Sequence, residues 1–394
     1  MDDFARAPAL QSIGPLAKLE VDVDRWRGVL EASSALFRKY PEVQWLEANL
    51  RFTTYNHYFV NSEGTVTRHG QYLYYMGVNG STQAPDGMRL DRSPYWLVGT
   101  PQELPTAEQF LADTVKMLET LKKLREAPIV EEEYRGPVVF SADAANDVFA
   151  DLVGSNVLGR KPEPGKTVRT TGSYATSYRS RVLPEFLSII DDPTMAKFEG
   201  RTLVGSYEVD DEGVKASPVT LVQNGELMNY LLGRQPIRGF PDSNGHGRAS
   251  PSGMPAPSIG NLIVRSSQAV SREELKQRML ELCRNQDQPY GYRVETLGPR
   301  FSPRLLYRVW VKDGREELVR GAVFSELDTR ALRSDLVAVG NDPEVSNRPG
   351  GVPSTVISPS ILFGELEAKR SDASKEKLPE YPPPSFSPSR EAKR

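Results

Sequence analysis

GPVVFSADAANDVFADLVGSNVLG, residues 136–159, decides how the rest of the chain is read. Val138, Val139 and Phe140 make a short apolar strand run. Ser141 then offers an N-cap oxygen and Asp143 a first-turn negative charge, where unpaired backbone N–H groups favour both. Ala145, Val148, Phe149, Leu152 and Val153 follow at helical spacing, which predicts a helix over 142–159 with one buried face. The opposite face carries Ala150, Asp151 and Ser155.

Upstream, residues 1–24 carry no periodic pattern and read as an extended arm. Trp26, Val29, Leu30, Leu36 and Phe37 mark a helix over 25–40 that Pro41 stops. Strand patterns follow over 43–53, 56–61 and 65–79, with turn signals at Ser62-Glu63-Gly64 and Asn79-Gly80. Residues 80–104 are rich in Gly, Pro and Asp and read as loop. Thr106 opens a helix over 106–127, with Phe110, Leu111, Val115, Leu118, Leu121 and Leu124 as its apolar stripe. Pro128 closes it, and residues 128–135, with the acidic run 131–133, make a candidate linker.

Downstream, residues 160–180 are polar. Strand signals resume at 186, with hairpin turns at 210–213 and at Asn224-Gly225. The acidic turn lacks the alternating oxygens of a calcium loop and reads as an ordinary turn. Residues 239–260 form a long Gly/Ser/Pro loop holding Asn244, His246 and Arg248, of the length that is usually functional or disordered. Ser271 and Glu274 read as a capping box for a helix over 271–283. Further strands cover 292–324, and a short helix spans 327–336. Residues 371–394 are rich in Lys, Glu, Pro and Ser and are expected to be disordered. Helices and strands do not alternate as in βαβ units, so the fold class is α+β with mainly antiparallel sheets. The division is an arm (1–24), an N-terminal α+β domain (25–130), a β-rich C-terminal domain (136–370) and a tail (371–394).

Of 394 residues, 49 are basic and 52 acidic, giving a net charge of −3. That excludes the clustered basic excess of a nucleic-acid footprint. No apolar run reaches membrane-spanning length, and the acidic start MDDFARAPALQ shows no secretory core, so a cytoplasmic location is expected. Cys283 is the single cysteine and reads as a small buried hydrophobe. His57, His69 and His246 show no paired ligand spacing, so a three-histidine zinc site is not expected. No phosphate loop, dinucleotide fingerprint or serine-nucleophile elbow occurs.

Several stretches in order carry a family resemblance. They are YFVNSEG (58–64), GPVVFSADAANDVFADLVG (136–154), LPEFLSIIDDPTM (183–195), the hairpin region 207–240, SNGHGR (243–248), GNLIV (260–264), ELVRGAVF (317–324) and ISPSILFGELE (357–367). Together they resemble the TldD/PmbA family, the TldD-related metallopeptidases also called modulators of DNA gyrase. The resemblance covers most of residues 25–370, with an N-terminal domain short for the family.

Active members carry an HExxxH helix, whose histidines bind zinc and whose glutamate serves as general base, and a later cysteine that completes the ligand set. By position the motif falls on Ala150, Asp151 and Ser155, and the cysteine near 347–351, where this chain has NRPGG. The resemblance therefore implies a pseudoenzyme without a zinc cofactor. Its role would be a homo- or heterodimer partner of a TldD-type subunit, or a peptide-binding protein. Two alternatives stand beside it. One is an active metallopeptidase using His246 with Asp191 or Asp192. The other is a scaffold that takes an extended peptide as an added strand, its groove lined by residues 160–180 and by Asn244, His246 and Arg248. A solvated loop is the plain reading of His246 and Arg248.

Overall fold

The computed structural model describes residues 4–371, 377 and 379; beyond those positions the predicted tail lies outside the described residues. The fold is α+β and mostly sheet. The first sheet is built on a long hairpin, β2 (Trp45–Val60) and β3 (Val66–Gln83). An earlier strand, β1 (Gln11–Ile13), pairs in parallel with β3, so part of the predicted irregular arm is sheet. Two short strands, β4 (Arg89–Arg92) and β5 (Tyr95–Val98), also pair with β3.

One helix, α1 (Val23–Ala35), is capped by Asp22 and gives way to a 3₁₀ turn over Leu36–Lys39 before Pro41. A longer one, α2 (Ala107–Glu126), starts at Thr106 in a reciprocal capping box with Gln109. Both helices share with the first sheet a core containing Met76, Val78, Phe110, Leu118 and Leu121.

The strand does not turn at Asn79-Gly80 but runs through to Gln83. A Cβ on Gly80 would come within 3.0 Å of the Leu121 and Met117 side chains. This glycine therefore serves close helix–sheet packing rather than a turn. Strands β4 and β5 likewise replace the loop expected over 80–104.

After α2 comes β6 (Tyr134–Phe140), the central strand of an eight-stranded sheet. It pairs in parallel with Tyr290–Leu297 and antiparallel with Ile361–Arg370. Its side chains alternate. Val138 and Phe140 face the main core, and Val139 faces a smaller one under α4 (Arg272–Asn285). Cys283 sits in that smaller core, fully buried, and burial pushes its thiol up to about 11. The α4 N-cap is Ser271, which accepts from the Glu274 N–H, but the Glu274 carboxylate binds Arg278 instead of closing the box.

From β6 the chain enters α3 (Ala142–Phe149), which packs against the eight-stranded sheet and against Ser354–Ser358 and Glu344–Arg348 of a second, six-stranded sheet. Ser141 caps it by accepting from the Ala144 N–H, and its own hydroxyl donates to the Glu295 carbonyl. The regular helix ends sooner than the pattern predicts. Ala150–Gly154 widen into a π turn, in which the Ser155 N–H reaches back five residues to the Ala150 carbonyl.

The six-stranded sheet includes β7 (Leu187–Asp191), flanked by Val219–Gln223 and Asn261–Ser266. Asn224 and Gly225 close their hairpin with φ of 48° and 81°, as the sequence predicts. Residues 239–260 are not wholly loop, since Gly247–Arg248 pairs with Ala256–Pro257. Among the described residues no helix is long and apolar enough to cross a membrane.

Candidate functional site

Asp143, Asp147 and Asp151 are spaced by four, so a helix sets them in one row. That row borders a cleft of about 720 Å³. The other walls are the β4–β5 segment, residues 296–299, Arg304, Arg201 and the strand Glu344–Arg348. The cleft thus lies where the first sheet meets the edge of the six-stranded one.

Its walls are fastened by Asn347. The amide nitrogen donates to the Leu97 and Thr202 carbonyls, each at 2.9 Å, and the oxygen accepts from the Thr355 hydroxyl at 2.8 Å and the Val204 N–H at 3.2 Å. The Tyr95 hydroxyl donates to the Asn347 carbonyl at 3.2 Å. Buried Asn146 ties α3 to the same strand by donating to the Glu344 carbonyl at 3.1 Å, and it accepts from Ser358.

Charges of both signs converge here. Arg348 donates to Asp147 at 2.6 Å and Arg304 pairs with Asp91 at 2.9 Å. Arg92 Nε is buried and finds no hydrogen-bond partner among the described residues. Burial lowers the Arg92 pKa, and nearby Arg304 lowers it further. Although the Asp143 side chain is exposed in the cleft, desolvation by the surrounding walls pushes its carboxyl up to about 6, with Asp147 and Glu344 acting the same way and Arg92 opposing. Asp151, also exposed to the cleft, is raised too, chiefly by desolvation from the cleft walls.

Of the three degenerate motif positions, only Asp151 lines the cleft. Ala150 packs into the main core, and Ser155 lies exposed with its hydroxyl donating to the Asp151 carbonyl. The structure brings Asp151 together with Asn347 and Arg348, from the segment where the family cysteine is expected. Zinc prefers thiolate and imidazole donors. The cleft lining contains neither histidine nor cysteine, and Arg348 already engages Asp147. These residues do not fit a zinc ion.

Asn244, His246 and Arg248 do not reach this cleft. His246 is fully buried, and its Nε2 lies 3.2 Å from Asp191 Oδ1. Its Nδ1 faces the Asn244 carbonyl and side-chain oxygens at 3.0 and 3.1 Å. The Asn244 amide is itself held by Tyr230 and Leu232. Arg248, also buried, donates to Asp211 at 3.0 Å and lies over the Tyr207 ring. The plain reading of a solvated loop is therefore corrected, because each side chain is internally paired. Asp192 does not join His246; its carboxylate accepts from the Thr194 N–H and hydroxyl.

The sequence reading did not single out Arg92, Asp147 or Arg348. The Asp143/Asp147/Asp151 spacing was a usable signal, but the arginines come from remote segments. Nor did it pair two histidines that the hairpin brings together. His57 and His69 stack with ring centroids 4.6 Å apart. Burial lowers both pKa values, that of His69 to about 4 with His57 adding to the effect.

Between pH 6.5 and 4 the unfolded chain therefore binds a proton at residue 69 that the folded chain does not, so stability falls as pH falls through this window. Asp143 has the opposite sign, since its raised pKa favours the fold at low pH. Comparing variants cancels that contribution. Urea unfolding at pH 7.5 and 4.5 should show His69→Gln losing less stability on acidification than the unsubstituted protein, by about 1–2 kcal/mol once solvent at the ring is allowed for. Equal losses would refute the assignment.

Residues 133–370 match the family described as PmbA/TldA metallopeptidase C-terminal domain. A metalloprotease of Archaeoglobus fulgidus is 29% identical over 191 residues, 46% of this chain and 42% of that protein. A metalloprotease of Methanocaldococcus jannaschii is 29% identical over 109 residues, 27% of this chain and 23% of that one. The matches thus span under half the length of these curated relatives. Among solved structures, a Thermotoga maritima protein named as a modulator of a DNA gyrase superposes with a TM-score of 0.65 at 18% identity, over 92% of this chain and 80% of that chain. TldE from Thermococcus kodakarensis gives 0.61 at 14% identity, over 92% and 79%.

Proposed function

Because this chain belongs to the PmbA/TldD metallopeptidase family, we propose that it is a member without hydrolytic activity of its own, which holds peptide in the cleft beside α3 as a partner subunit of an active TldD-type chain. The carrying observation is the donor set of that cleft: aspartates faced by arginines, with no histidine or cysteine in its lining. Such a lining lacks the thiolate and imidazole donors that zinc prefers, but it complements a peptide's charged ends and side chains. Arg92, whose side chain lines the cleft, suits a substrate carboxylate. Exposed Asp151 suits a basic group.

A peptide library incubated with the zinc-supplemented protein and read by mass spectrometry tests the inactivity. Unchanged peptides are expected; cleavage abolished by Asp151→Asn would overturn the reading. Arg92→Ala is expected to weaken peptide binding about 10- to 100-fold in a fluorescence titration, the usual worth of a hydrogen bond to a charged group. Co-purification with a relative that carries HExxxH tests the partner role.

The outer edge of β2 supports that association. β2 pairs only with β3 among the described residues, which leaves one side of a 16-residue strand open, and Trp45, Tyr58 and Val60 on it are exposed.

A further inference from the structure

His57 and His69 sit directly opposite one another on β2 and β3, so both rings leave the same face of the hairpin. Asp211 reaches them from the turn that ends at Gly213. One ligand atom from each of the three residues lies within 4.8 Å of the other two. No hydrogen bond among the described residues explains the grouping. His57 Nδ1 is 3.9 Å from Asp211 Oδ1, beyond bonding range, and His57 Nε2 is buried without a partner.

Asp211 is positioned rather than loose. Its Oδ2 accepts from Arg248 Nε at 3.0 Å and from the Ala249 N–H at 2.7 Å, which leaves Oδ1 toward the rings. A cavity of about 270 Å³ adjoins the group at His69, with Gly70, Tyr207 and Arg248 also on its border.

We propose that His57, His69 and Asp211 form a binding site for a divalent transition metal, zinc or a close neighbour, clamping the β2–β3 hairpin to the C-terminal part of the chain. Two imidazoles and one carboxylate are a borderline donor set suited to such ions, and three protein ligands leave a fourth position for water. Bonds of about 2.1 Å imply tetrahedral edges of roughly 3.4 Å, so ligand atoms up to 4.8 Å apart need to close by as much as about 1.4 Å. The two rings are stacked with their planes 11° apart, so metal binding requires them to turn about their side-chain bonds. Arg248 places a positive charge nearby, but its bond to Asp211 holds that carboxylate in the manner of an outer-shell partner. The site shares no residue with the lining of the α3 cleft and does not depend on the peptide-binding proposal.

Full-length protein stripped with chelator and titrated with zinc at pH 7.5 is expected to bind one equivalent by calorimetry, with a rise in Tm. Cobalt(II) should give the visible absorption of a tetrahedral site. His57→Gln and His69→Gln are each expected to weaken zinc binding at least 100-fold while keeping the near-ultraviolet circular dichroism of the unsubstituted protein. Asp211→Asn should weaken it as well, and His246→Gln should leave stoichiometry unchanged. Absence of stoichiometric binding, or binding that survives both His57→Gln and His69→Gln, would overturn the proposal.

Discussion

Asp191→Ala is expected to destabilise the protein by about 3–5 kcal/mol, the usual cost of removing one partner from a buried charge-assisted pair. Asp191 ends β7, fully buried, and its carboxylate collects the N–H groups of Gly260 at 3.1 Å and Asn261 at 3.2 Å together with His246 Nε2 at 3.2 Å. Truncation leaves two backbone N–H groups and the His246 ring nitrogen without their carboxylate partner. Each then loses its partner without regaining water, which is where the penalty arises. Gly260 is crowded as well. The Gly205 position lies so close that a Cβ there would meet the Gly260 carbonyl at 2.0 Å, so the segment has little room to collapse.

The same variant separates two readings of His246. A metal-ligand pair in an active site would give lost cleavage with little lost stability. A structural pair gives lost stability, with His246→Ala expected to follow Asp191→Ala and the double variant to cost less than the sum. Urea unfolding followed by tryptophan fluorescence decides it. An unfolding free energy for Asp191→Ala within about 0.5 kcal/mol of that of the unsubstituted protein would remove the structural assignment.

Local signals carried much of the fold. Ser141, Thr106 and Ser271 each mark a helix start, because a side-chain oxygen at that position answers an unpaired N–H within three residues. Asn224-Gly225 marks a hairpin because few other pairs tolerate two positive φ angles. Gly80 misled because absence of a side chain serves two purposes, turning and close packing, and only the position of α2 tells them apart. The π turn at Ala150–Gly154 was hidden because the apolar spacing of Leu152 and Val153 fits a regular helix equally well.

The cleft was half legible. The helix face bearing Asp151 was identified, whereas Arg92 and Arg348 reach it only through tertiary folding. His57 and His69 stood nearer to view. The turn around Glu63, with Asn61 Oδ1 accepting from the Glu63 and Thr65 N–H groups, sets a register in which residues equidistant from it face each other. The two histidines are such a pair. Asp211, far along the chain, was beyond any local signal.

Phe149→Ala is expected to cost about 3–5 kcal/mol, through lost burial and the cavity left behind. Phe149 is fully buried in the main core, at the last regular turn of α3, where that helix is packed between the eight-stranded and six-stranded sheets. Two rigid sheets limit how far the surroundings can relax, which places the effect toward the upper part of the range. Asp151→Asn, two residues on and exposed to the cleft, is expected to change stability by no more than about 0.5 kcal/mol.

Thermal unfolding of the two variants tests the division of α3 into a buried stripe that fixes the helix and an exposed row that meets peptide. The expected peptide response is reversed: weakened binding of basic peptides in Asp151→Asn, and affinity near that of the unsubstituted protein in Phe149→Ala at temperatures where it stays folded. Stability loss in Asp151→Asn comparable to that in Phe149→Ala would show that the aspartate row holds the fold, and would remove the reason for placing a ligand on it.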